Sequence, residues 1–426
     1  MPPGRGDIFA EVLALNRRIS RYLVRFLGIG AAIFLFAVNY SEHMMQIRAL
    51  PETLYLTEED GRFSGLFTQQ GTTAVDVQQA ERLSDVTEAE QTYTFRLFGV
   101  APLRSVRVVH TEQQYLVPGG TAVGITLHTR GVLVVGLGSV RTATGVVSPG
   151  SAAGLQPGDV IVRVAGQEVR DSAHLAELCG GHSDPVELIV ERAGAELSVT
   201  VHPACEADSG EYRLGLWARD STAGVGTLSF YDESAGWFAA LGHAVSDVDT
   251  QSTLTVREGK LVSAEIVDVA RGEAGEPGEL LGTFSTSGTP LGNIVLNTEF
   301  GIYGTMNAAY GSELSGAVPL AYAYEAHEGP ATILSTVSGH TVGAYDCRIV
   351  RVNVQQGPET KSMVVEVTDP ELLSRTGGIV QGMSGSPILQ DGKLIGVVTH
   401  VFVNDPAKGY CIYAEWMYRQ IAERAS

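Results

Sequence analysis

The segment Gly382-Met-Ser-Gly-Ser-Pro387 sets a serine among small neighbours. A hydroxyl is a weak nucleophile, so it reacts only with a base in hydrogen-bond reach and with N–H donors aimed at the oxyanion it creates. Glycine at 382 and 385 lets the backbone curl, so that the N–H groups of Gly382 and Ser384 could meet at one oxygen. Downstream, Ile388-Leu-Gln reaches Asp391-Gly392 and returns as Lys393-Leu-Ile-Gly-Val-Val-Thr399. Asp-Gly between β-rich runs predicts a hairpin, whose return strand passes beside Ser384 and sets Thr399 and His400 along a substrate cleft. Ser386 is the rival nucleophile, but no glycine stands two residues before it.

The chain offers 10 histidines as the base. His243 ends the apolar run Trp237-Phe-Ala-Ala-Leu-Gly-His243 at an expected strand exit, and it precedes the serine in the chain. His400 and His340 compete with it. Any carboxylate that reaches the far ring nitrogen could hold the base's tautomer and stabilise the imidazolium. Asp247, Asp249, Asp346 and Asp369 all qualify by position. Asp369 ends the alternating run Val365-Glu-Val-Thr-Asp369 ahead of Pro370, where capping a helix from Glu371 would be an equally good use.

These residues need a scaffold that brings distant segments together. Residues 205–426 are a series of short Val-, Gly-, Ser- and Thr-rich runs broken by glycine turns, which predicts a sandwich or barrel, closed by a helix over 414–425. The Gly-x-Ser-Gly-Ser-Pro segment with its hairpin resembles the nucleophile region of chymotrypsin-like double β-barrel peptidases. Residues 120–203 contain Gly131-Val-Leu-Val-Val135, then Ser151-Ala-Ala-Gly-Leu-Gln-Pro-Gly-Asp-Val-Ile161, a helix capped by Asp171, and a hairpin across Ala193-Gly-Ala195. That order resembles a PDZ domain of the bacterial protease-associated type, which implies peptide binding by strand addition. Residues 51–115 alternate at period two and predict a small β-rich module.

Charge fixes orientation more than it does partners. The formal net charge is −19 over 426 residues, yet Arg5, Arg17, Arg18, Arg21 and Arg25 stand against only Asp7 and Glu11 at the start. The acid excess excludes general nucleic-acid binding, which needs a basic face. Phe26 to Val38 lacks any polar side chain, and Tyr22 to Tyr40 reaches spanning length if Arg25 snorkels. We therefore expect a basic cytoplasmic segment at 1–21, a signal-anchor helix at 22–40 and everything beyond it exported. The cysteines Cys179, Cys205, Cys347 and Cys411 form no Cys-x-x-Cys pair, so neither a metal nor another cofactor is expected.

Taken together, the fold class expected is mainly β: anchor, small β-rich module, PDZ domain and double-barrel peptidase. Leu241-Gly-His-Ala-Val-Ser-Asp247, Gly301-Ile-Tyr-Gly304, Gly378-Ile-Val-Gln-Gly-Met-Ser-Gly-Ser-Pro387 and Thr399-His-Val-Phe-Val-Asn-Asp405 extend the likeness over nearly the whole chain. It resembles the stage IV sporulation protein B family, PDZ-containing serine peptidases of endospore formers. The resemblance places a triad on His243, Asp369 and Ser384. It implies an exported enzyme between the two forespore membranes that processes itself. It also implies cleavage of the regulator of a membrane-embedded metalloprotease, which activates the late mother-cell sigma factor, with the PDZ domain recognising self or substrate segments. The rival reading is a membrane-tethered PDZ adaptor with a silent barrel.

Overall fold

The computed structural model describes residues 50–57, 75–79, 90–97, 101–181, 183–285, 289–311, 316–353, 355 and 357–425. The expected basic segment 1–21 and signal-anchor 22–40 lie outside them. Among the described residues, no helix is long and apolar enough to cross a membrane. The chain divides into two compact units, one of residues 1–113 with 354–357 and one of the remainder.

The first unit holds a four-stranded sheet in the order Thr53–Leu56, Ala101–His110, Glu90–Leu97, Val75–Gln79, with only the first pair parallel. Its alternation is visible in Ala101–His110, where Val106 and Val108 are buried while Arg107 between them is exposed.

The second unit contains two six-stranded barrels. The first is closed by Ala122–Leu137, Val256–Ala270, Gly292–Thr298, Gly301–Met306, Trp237–Ala240 and Leu216–Asp232, the last pairing back to the first. Val123, Ile125, Leu127, Phe238, Leu261 and Ile302 point into its core. The second runs Gly329–Ser335, Gly343–Val352, Met363–Val367, Asp405–Tyr413, Lys393–Phe402 and Pro387–Gln390. The hairpin expected after Ser384 is present, with Asp391 (φ 51°) and Gly392 (φ 78°) both left-handed at its turn. The closing helix, Ala414–Ala425, buries Trp416, Met417 and Ile421 in the second barrel's core.

The PDZ domain is inserted into the first barrel. Leu216–Asp232 pairs with Ala122–Leu137 from Thr227↔Ala122 to Leu216↔Leu137, so one ladder serves the barrel at one end and the PDZ sheet at the other. There Val132 pairs with Ile161, and Val160–Val164 carries on to the hairpin Val186–Arg192 and Ala195–Val201. Dividing the chain into 120–203 and 205–426 therefore cuts through the barrel, whose first strand precedes the PDZ residues. Gly154 (φ 83°) ends the short helix Pro149–Ala152, and Asp171 caps Ser172–Gly180 by accepting from His174 N at 2.7 Å. Asp159, buried behind the turn, is satisfied by Arg192 Nε at 2.6 Å and by Gln156 N at 2.9 Å. A buried carboxylate without such partners would be costly.

Candidate active site

His243 leaves the first barrel on a strained turn. After Trp237–Ala240, Leu241 and Gly242 both have φ 72°, a region that costs a leucine about 1 kcal/mol or more. The turn is held in place by Asn297 of Gly292–Thr298, whose amide accepts from Val245 N and donates to Val245 O and Leu254 O, each at 2.8 Å. The ring of His243 is half-buried, and Nδ1 lies 2.8 Å from the carbonyl oxygen of Ala244. A carbonyl only accepts, so Nδ1 carries the proton and Nε2 of the neutral ring keeps the lone pair. Burial holds the ring's pKa below the ordinary 6.5, against the opposite pull of that hydrogen bond.

Ser384 comes from the other barrel. It lies in a turn between Gly382 (φ 92°) and Gly385 (φ 101°). The first barrel grips this turn: Thr227 N donates to Ser384 O at 3.0 Å and Thr227 Oγ1 to Gly382 O at 2.8 Å. With those carbonyls turned into the seam, the N–H groups of Gly382 and Ser384 donate to no partner among the described residues. The hydroxyl of Ser384 donates to Thr399 O at 2.8 Å, where the ladder between Lys393–Phe402 and Asp405–Tyr413 shifts register between Val398 and His400. Such a bulge re-aims the backbone beside a site.

Ser384, His243, Gly382, Thr399 and His400 line one pocket of about 520 Å³, so residues far apart in the chain meet there. The remaining wall is mostly apolar, including Ile125, Val225, Leu241, Ile379 and Val401, with Thr222, Ser246 and Gln381 as its polar members, and no Asp, Glu, Lys or Arg lines it among the described residues. The rings of His243 and His400 stand 5.0 Å apart between centroids, tilted by 39°. His400 is exposed by area, yet its pKa is pushed down to about 4, first by desolvation against the pocket and then by the charges of His243 and Lys361. Desolvation and the neighbouring charges together leave His400 neutral near neutral pH.

Asp369 is not brought to this pocket. It caps the helix Pro370–Thr376, accepting from Leu372 N at 2.9 Å, and its other oxygen lies 3.4 Å from Asp346 N. No carboxylate touches the His243 ring among the described residues; Ala244 O occupies the place an acid would take. Asp247 is buried but is engaged by Arg219 and Thr250, and Asp249 is bound by Arg219 at 2.9 Å. The rivals are placed elsewhere: Ser386 is fully buried with Oγ 3.0 Å from Ser335 Oγ, and His340 Nδ1 lies 3.1 Å from Ala264 O. Asn297 and Thr227 escaped the sequence reading, because a strand-end amide and a strand hydroxyl carry no motif.

Residues 210–418 match the SpoIVB peptidase S55 family, and residues 142–192 match a PDZ domain family. Similar solved structures include the active form of the Rv3671c protease from M. tuberculosis, with 17% identity, 47% of this chain and 74% of that chain covered, and a TM-score of 0.26. The inactive form of the Rv3671c protease gives 15% identity, 47% and 85% coverage, and a TM-score of 0.27. At those scores the barrel assignment rests on the strand order above. No curated protein matches the chain.

Proposed function

We propose, for a chain that belongs to the SpoIVB family of serine peptidases and carries a PDZ domain, that Ser384 is the nucleophile and His243 the base. The observation that carries this reading is the meeting of Ser384 and His243, one from each barrel, in a single pocket beside two unpaired N–H groups. In the resting state the hydroxyl is parked on Thr399 O, so substrate entry must turn Oγ toward His243 Nε2. Oγ then attacks the peptide carbonyl carbon while Nε2 takes its proton, and the oxyanion is met by the N–H groups of Gly382 and Ser384. His243 returns that proton to the leaving amine, leaving an acyl-enzyme ester. Water, deprotonated by the same nitrogen, releases the acid and restores the serine. The uncharged wall suits apolar side chains beside the scissile bond. A fluorophosphonate probe tests the assignment: labelling should vanish in Ser384→Ala and His243→Ala and survive in Ser386→Ala. Absence of labelling in the unaltered chain would favour the adaptor reading.

Two further results separate details of this scheme. Asp369→Asn is expected to keep the helix cap and to leave the rate within about threefold, whereas loss of a triad acid costs roughly 10⁴-fold. A fall of that size in peptide hydrolysis would restore Asp369 to the mechanism. The acidic limb of kcat/KM should lie below pH 6.5, because burial favours the neutral base, which is the active form, down to lower pH. A midpoint above pH 6.5 would contradict a desolvated His243 as the base.

The family likeness carries the biological reading. The expected substrate is the regulator of a membrane-embedded metalloprotease, cleaved in the space between the forespore membranes to activate the late mother-cell sigma factor, with self-cleavage alongside. Export behind residues 22–40 is checked with a reporter fused after residue 60. Activity of that reporter in the cytoplasm would refute the topology.

A further inference from the structure

One strand belongs to both functional regions. Leu216, Trp217 and Ala218 line a groove of about 660 Å³ against the PDZ helix Ser172–Gly180, while Thr222 to Val225 on the same strand line the catalytic pocket. The register with Ala122–Leu137 breaks once within the groove stretch, between Trp217 and Ala218, and again between the two stretches, between Arg219 and Ser221. Two consecutive side chains leave the strand at that break in different directions.

Arg219 reaches the catalytic loop. Its guanidinium binds the Asp247 carboxylate through Nη1 and Asp249 Oδ2 through Nη2, the latter at 2.9 Å. Asp247 is 0% exposed at its side chain and organises the turn that follows His243. Its Oδ1 accepts from Asp249 N at 3.0 Å, Thr250 N at 2.9 Å and Thr250 Oγ1 at 3.1 Å. Burial would raise its pKa, but the bonds from Thr250 and Arg219 outweigh burial and hold it below the usual carboxylate range. Without Arg219, a buried carboxylate four residues from the base loses its only cation among the described residues. Asp220 turns to the PDZ domain instead. Its Oδ2 accepts from Ser172 N at 2.6 Å and Ser172 Oγ at 2.7 Å, at the first residue of the groove helix.

We propose that Arg219 is a positioning residue for His243 and that, through its neighbour Asp220, it couples the PDZ helix to the base. A peptide entering the groove bears on that helix, and the Arg219–Asp220 peptide unit joins the hydrogen bonds on Ser172 to the ion pair on the His243 loop. The inference rests on His243 being the base. It assigns regulation of that site to a junction in which neither residue touches substrate.

The test uses the full chain, a fluorophosphonate probe and an apolar reporter peptide, with rates expressed per labelled site. Arg219→Ala is expected to lower kcat about tenfold with KM unchanged, because the base is misplaced while the pocket remains. Arg219→Lys should recover part of that loss, and Asp249→Asn, at the exposed arm, should change kcat by less than about twofold. Asp220→Ala should alter kcat about threefold when Arg219 is present and not at all in the Arg219→Ala background. Should Arg219→Ala not fold, Asp247→Asn takes its place, keeping shape while removing the charge pair. Unchanged kcat in these variants overturns the positioning role, and an Asp220→Ala effect equal in both backgrounds overturns the coupling. A parent chain that takes no probe would instead defeat the peptidase mechanism itself.

Discussion

Ser384→Ala is expected to lower peptide hydrolysis on the order of 10⁶-fold, and His243→Ala nearly as far, because nucleophile and base act as a unit. The double variant should be no slower than either single one, since neither residue has a function left when the other is gone. The geometry adds a constraint. Ser384 Oγ rests on Thr399 O, and His243 is oriented by Ala244 O, so each partner is held by a backbone carbonyl before they engage. Replacing either side chain therefore removes no buried ion pair, and melting temperatures should stay close to the parent's. Ser386→Ala serves as the control: its hydroxyl is bonded to Ser335, and its loss should cost about 1 kcal/mol of stability with no change in rate. A comparable loss of activity in Ser386→Ala, at full folding, would move the nucleophile. Measured kcat with active-site titration distinguishes a slower site from fewer sites.

The way each residue is held also explains what could be read from the sequence. Ser384 was legible because local requirements mark it. Left-handed glycines at 382 and 385 and the Asp391-Gly392 turn are written in residue type, and they are met in place. His243 was legible through the apolar strand Trp237–Ala240 that delivers it. Asp369 shows the limit of such reading. An aspartate before proline at the end of a strand satisfies the signal for a helix cap and the spacing for an acid alike, and only three-dimensional packing shows its oxygens facing Leu372 and Asp346. The insertion of the PDZ domain was hidden for a related reason. Ala122–Leu137 is one continuous strand, and its division between barrel and PDZ sheet depends on partners distant in the chain, such as Ile161 and Leu261. Asn297 and Arg219 act across the fold, where no local pattern marks them.

Gly385→Ala is expected to cost about 3 kcal/mol or more in unfolding free energy and to slow hydrolysis by roughly 10²-fold among the molecules that fold. Gly385 follows Ser384 at the seam of the barrels with φ 101°. A Cβ there would stand 2.0 Å from Thr227 O and 2.7 Å from Leu241 N, both backbone atoms of the first barrel. Neither can swing away as a side-chain tip would, so the turn has to lift. Lifting it strains Gly385 N to Val398 O at 2.8 Å on one side and Thr227 N to Ser384 O at 3.0 Å on the other. It also pushes on Leu241, which begins the strained turn to His243, so Ser384 and His243 are both displaced by one methyl group. Gly392→Ala isolates the backbone term, since φ there is 78° and no atom lies within 4 Å of the added carbon. That variant should lose about 1 kcal/mol and keep its rate. Urea unfolding and kcat per titrated site measure both quantities. If Gly385→Ala matched Gly392→Ala in both, the contact with Thr227 would not be what sets the serine turn, and the two barrels would align their residues by some other route.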